Sequence, residues 1–157
     1  MSFADSLSTM DESCERAILV GIQFKGEESS RLESSLAELS RLADTAGAEV
    51  VATTFQKLDA PNPRTFVGSG KAEEIADMCR AYAADVVIFD DELTPSQQSN
   101  LEKAVPKDVK VIDRTALILD IFALHATTKE GRLQVRLAQN QYLLPRLRGM
   151  WAHLASN

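Results

Sequence analysis

AILVGI (residues 17–22), SRLESSLAELSRLADTAG (30–47) and EVVATTFQ (49–56) decide the fold between them. The first is a short unbroken apolar run, the mark of a strand covered on both faces. In the second, Leu32, Leu36, Leu39, Leu42 and Ala43 recur at helical spacing, and Gly47 is the stop. The third is rich in Val and Thr and reads as another strand. Together they form a β-α-β unit, whose crossover is expected to be right-handed.

The pattern repeats downstream. LDAPNPRT (58–65) is a proline-rich loop, Phe66-Val67 a candidate two-residue strand, and Lys71 to about Tyr82 a helix with Ile75 and Met78 inward. DVVIF (85–89) is a buried strand. Thr94 as N-cap, Pro95 at the first helical position and Gln97 three residues after the cap fit a capping box. That helix runs to about Ala104 and Pro106 ends it. VKVI (109–112) is the last strand, and Asp113 caps an apolar helix over 116–126. The expected fold is α/β: a small, mainly parallel sheet of four to five strands flanked by helices, then a C-terminal helical arm. The expected parts are a flexible tail (1–15), the α/β domain (16–126) and the arm (127–157).

Charge divides along the same line. The net charge is −6, which argues against a general nucleic-acid coat protein. Residues 129–157 nevertheless carry Lys129, Arg132, Arg136, Arg146 and Arg148 against Glu130, a net +4, leaving −10 on the rest. An acidic body with a basic arm makes the arm the anion-binding part. Cys14 and Cys79 match no disulfide framework and no zinc spacing, and read as reduced thiols of a cytoplasmic protein. No apolar run approaches the roughly 20 residues of a membrane span. The polar, acidic first 14 residues are no secretory signal.

The arm has an apolar stripe as well. Leu133, Leu137, Leu144, Leu147, Trp151 and Leu154 follow an a/d-like spacing that wants a partner helix or a seat on the domain. Pro145 lies within it and is expected to kink or end the helix. The basic face, Lys129, Arg132, Arg136, Arg146 and Arg148, is the candidate phosphate-contact set.

Other candidates carry competing readings. Gly68-Ser69-Gly70-Lys71 is either an anion-holding turn or a tight turn capped by Gly70 or Ser69, with Lys71 solvated. It is not a Walker A loop, because Thr65 and Ala72 stand where that motif needs Gly and Ser/Thr. Asp90-Asp91-Glu92 and Asp113 lie after strands, where acidic groups can hold a metal-bound nucleotide, but a solvated loop and a helix cap explain them. Asp120 is expected to face a wet stripe or to pair with Arg114. His125 and His153 have no metal-ligand spacing, and no catalytic motif is present.

TFVGSGKAEEI (65–75), DELTPSQQSNLE (91–102), KVIDRTALILDIFALHATTKEGRLQVRLAQNQYLLPRL (110–147) and RGMW (148–151) resemble the N-terminal region of the HflX family of translational GTP-binding proteins. The resemblance runs from about Ala17 to Leu154. It implies an α/β subdomain, then the first arm of a helical hairpin directed at ribosomal RNA, then a GTPase domain that uses GTP and Mg²⁺. It also implies association with the large ribosomal subunit and dissociation of stalled ribosomes, and a link of the N-terminal region to ATP. The chain is therefore expected to be an excised N-terminal fragment, not catalytic alone. Its partners would be rRNA and the absent GTPase domain, and its uncovered stripe would support a homodimer through residues 133–154. The competing expectations are an ATP-binding body using Lys71 and a self-associating interaction domain.

Overall fold

The structure, a computed structural model, describes residues 14–156, with side chains through Arg146. Four strands alternate with helices: β1 (Arg16–Phe24), α1 (Ser29–Thr45), β2 (Glu49–Leu58), α2 (Ser69–Ala81), β3 (Val86–Phe89), α3 (Pro95–Ala104), β4 (Lys110–Asp113), α4 (Arg114–His125) and α5 (Lys129–Ser156). The sheet order is β2-β1-β3-β4, and every pairing is parallel. The chain starts in the middle, moves out to β2, then returns past β1 to β3 and β4.

Both faces are covered, which is why β1 and β3 read as unbroken apolar runs. On one face Leu39 and Ala43 of α1 and Leu117 and Ile121 of α4 meet Ala17, Leu19, Val86 and Ile88. On the other, Ile75 and Cys79 of α2 and Leu101 of α3 meet Ile18, Val20, Val87 and Phe89. Each fully buried Leu or Ile contributes roughly 1.5–3 kcal/mol. Gly21 lets α1 close on the sheet: a Cβ there would meet Leu32 Cδ1 at 2.8 Å. Gly47 ends α1 at φ +89, the left-handed conformation that glycine adopts without strain. The Thr94/Gln97 capping box and the Asp113 cap form as the sequence predicts.

Several expectations change. The fifth strand at Phe66-Val67 does not form. Phe66 sits at φ 67, makes one isolated antiparallel bridge with Asn62, and packs edge-on against Phe89 at 6.1 Å between ring centroids. Its ring is buried at the cost of a left-handed backbone. The cap of α2 is Gly68 rather than Ser69 or Gly70. The helix over 129–156 runs on through Pro145 rather than ending there; a proline removes one backbone bond, and the turns on either side continue. Glu15, assigned to the tail, is buried and paired with Lys110 at 2.6 Å, and its carbonyl accepts from Glu49 N–H. Residues 1–13 of that tail lie outside the described residues.

The helix expected to be core is only half so. Leu117 and Ile121 are buried, but Phe122 and Leu124 on the same helix are 55% and 43% exposed. A helix apolar all round has more faces than one sheet can cover.

Candidate nucleic-acid interface

Thr128 starts α5. Its Oγ1 accepts the Gly131 N–H at 2.9 Å, satisfying one donor that no helix turn can reach. Three strips then run along the helix. Val135, Ala138, Gln139, Tyr142 and Arg146 are half-buried against the body. Leu133, Leu137 and Leu144 lie on the opposite side, 57%, 59% and 66% exposed. Lys129, Arg132 and Arg136, spaced i, i+3 and i+7, share one exposed edge beside the leucines. The helix therefore docks through a face other than its leucine stripe, and the stripe stays more than half exposed. Leu147, Arg148, Trp151, His153 and Leu154 lie outside the described side chains.

Arg146, predicted as a phosphate contact, is turned inward. Its guanidinium lies 3.5 Å over the Tyr142 ring, donates to the Tyr142 carbonyl at 2.9 Å, and donates to the Leu93 carbonyl. The Tyr142 hydroxyl donates to Asp113 Oδ2. Asp113 is fully buried and also accepts Leu93 N–H at 2.9 Å and Ala116 N–H at 3.0 Å. Burial first, then the bond to the Asp113 carboxylate, pushes the Tyr142 phenol above its ordinary range. Tyr142 and Arg146, one turn apart, thus seat the arm on the ends of β3 and β4. The sequence shows Asp113 as a cap and Tyr142 as a helix residue; 29 positions separate them, and no local signal joins them.

Asp120 is buried rather than wet, and accepts from Gln139 Nε2 of α5 at 3.2 Å. Arg114, its expected partner, instead binds Asp90 at 2.7 and 3.1 Å, Glu38 at 2.7 Å and the Ser35 carbonyl at 2.9 Å. Asp90 is buried in this network and also accepts from Ser35 Oγ at 2.5 Å, so it is not a solvated loop residue. The network sits where the strand order reverses between β1 and β3, the position at which open α/β sheets bind ligands. Here the Arg114 guanidinium holds Asp90, beside a cavity of about 130 Å³ that Ser35, Asp90 and Asp91 help to line.

Asp91 stands beside it. Burial, then the neighbouring Asp90 and Glu27 carboxylates, hold its carboxyl above the usual range. A carboxyl with a raised folded value binds its proton more readily in the folded protein, so ionisation above that range works against folding. Asp91→Asn is expected to raise the melting temperature at pH 7 and to give no gain at pH 3, which thermal unfolding at the two pH values checks.

The Gly68–Lys71 turn lies on the other flank of the sheet, beside β2. Two of its donor groups are in use: Gly68 N–H donates to Gln56 Oε1 at 2.9 Å, and Lys71 Nζ to Thr54 Oγ1 at 2.8 Å and Glu74 Oε2 at 2.6 Å. Lys71 is thus bound within the protein rather than solvated, its side chain only 13% exposed. Ser69 rims an open groove of about 750 Å³ between α2 and α3, shared with Arg64, Arg80, Asn100 and Lys103. The structure does not bring this turn together with the basic edge of α5. No helix among the described residues is long and apolar enough to cross a membrane.

Comparison with known proteins agrees with this architecture. Residues 33–123 match the family described as GTP-binding GTPase N-terminal, and residues 125–157 match the GTP-binding GTPase middle region. A GTPase HflX of Flavobacterium psychrophilum is 51% identical over 140 residues, covering 89% of this chain and 33% of the relative. The Escherichia coli GTPase HflX is 46% identical over 140 residues, covering 89% and 32%. Among solved structures, SsGBP in complex with GDP superposes with a TM-score of 0.66 at 25% identity, covering 86% of this chain and 37% of that one. A GTP-binding protein from Sulfolobus solfataricus in complex with GDP gives 0.64 at 24% identity, over 88% and 40%, a likeness of fold. The chain spans about a third of the length of the curated relatives it matches.

Proposed function

Because the chain belongs to the HflX family of GTP-binding proteins, spanning its N-terminal and middle regions, we propose that it is the module by which such a GTPase grips RNA of the large ribosomal subunit in the cytoplasm and helps dissociate stalled ribosomes. The observation that carries this reading is the exposed edge Lys129–Arg132–Arg136 on a helix held against an acidic body. Exposed cations in a row can each displace counterions from a phosphate backbone. Arg146 supports the arm from within, so the contact set reduces to the three exposed residues, with Arg148 outside the described side chains. GTP and Mg²⁺ belong to the part of the longer protein that follows, and the leucine face is where its next helix would lie. ATP at the Gly68–Lys71 turn has less support, since Lys71 would have to leave Thr54 and Glu74.

The test is co-sedimentation with the large subunit across a salt series. Neutralising Arg132 and Arg136 to Gln is expected to weaken binding and to lower the log–log salt slope by roughly 0.7–0.9 per residue. An unchanged slope would remove the arm from the interface.

A further inference from the structure

We infer that Tyr142 and Arg146 form a two-point latch that fixes the direction of the arm relative to the body. The inference rests on the proposed RNA role only for its consequence, not for its geometry. The latch closes on one small region. Tyr142 reaches Asp113 at the end of β4, and Arg146 reaches the Leu93 carbonyl in the loop after β3. Asp113 itself holds Leu93 through its N–H, so the two grips share one rigid base. The guanidinium stacked on the Tyr142 ring ties the grips to each other. Gln139, one turn earlier, adds a bond to buried Asp120.

Releasing the arm would leave the Asp113 carboxylate without its hydroxyl donor and expose the face that Val135 and Ala138 help to cover. Buried acceptors without donors are costly, so a single arm direction is favoured over a swinging one. A fixed arm presents Lys129, Arg132 and Arg136 in one orientation and spares that ordering cost on binding.

The test reads the arm without any RNA. In a Cys14→Ser chain, spin labels are placed at Asp44→Cys on α1 and Gln141→Cys on α5, both exposed; Cys79 is buried and stays unlabelled. Electron–electron distance measurement is expected to give one narrow peak. Tyr142→Phe with Arg146→Met should widen it at least about twofold while the body's circular dichroism is retained. If the double variant does not fold, Tyr142→Phe alone, lacking one hydroxyl, is measured for the same widening. An unchanged distribution in a folded variant overturns the latch.

Both variants keep Lys129, Arg132 and Arg136. Large-subunit affinity should therefore fall on the order of tenfold with the salt slope unchanged, unlike the slope loss from arginine neutralisation. A widened arm with unchanged affinity overturns the latch as a positioning device. If the unmodified chain does not pellet at all, the RNA reading falls and the distances alone decide the latch.

Discussion

Arg114→Met is expected to destabilise the body by about 3–5 kcal/mol, the cost of removing one partner from a buried ion pair. The guanidinium is the common donor for Asp90, Glu38 and the Ser35 carbonyl. Asp90 is the member that matters, with a side chain only 7% exposed against 58% for Glu38. Without Arg114, the Asp90 carboxylate retains Ser35 Oγ but loses its counter-charge in a place that water barely reaches. Glu38, being exposed, contributes little either way. The double variant Arg114→Met/Asp90→Leu removes both charges and should recover most of the loss, because an apolar pair of suitable size replaces a buried ion pair at little cost. Urea unfolding of the two variants checks this. Equal stability of single and double variants would show that the pair is not the source of the effect.

That pair marks the limit of what was legible beforehand. β1 could be read because both its faces are covered, leaving six consecutive apolar residues. The Thr94/Gln97 box and the Asp113 cap could be read because their partners lie three positions away. Arg114 and Asp90 are 24 positions apart, and Tyr142 and Asp113 are 29 apart. Nothing local distinguishes such residues from solvated ones, so Asp90 read as loop, Arg146 as a phosphate contact and Asp120 as wet or paired with Arg114. Phe66 read as strand because apolar pairs favour strands; its left-handed φ follows from packing against Phe89, a tertiary demand. The leucine stripe was visible from spacing, but spacing does not say which face docks. Tyr142 and Arg146 decide that, and they turn Leu133, Leu137 and Leu144 outward.

Asp113→Ala is expected to cost about 3 kcal/mol, and to cost it in two places at once. The carboxylate serves three donors from three segments: Ala116 N–H at the start of α4, Leu93 N–H in the loop after β3, and the Tyr142 hydroxyl on α5. The cap alone is worth about 1 kcal/mol. Leu93 is fully buried, so its N–H has no water to turn to and carries a full desolvation penalty of about 1–3 kcal/mol. Relief from burying the carboxylate offsets part of this sum. Because the third donor belongs to the arm, the loss should couple to Tyr142. Asp113→Ala combined with Tyr142→Phe should cost less than the two single changes added, by about 0.5–3 kcal/mol. Denaturant unfolding of the unmodified chain, the two single variants and the double variant measures the coupling. Strict additivity there would mean that the hydroxyl and the carboxylate act independently, and that the arm is seated by its apolar contacts instead.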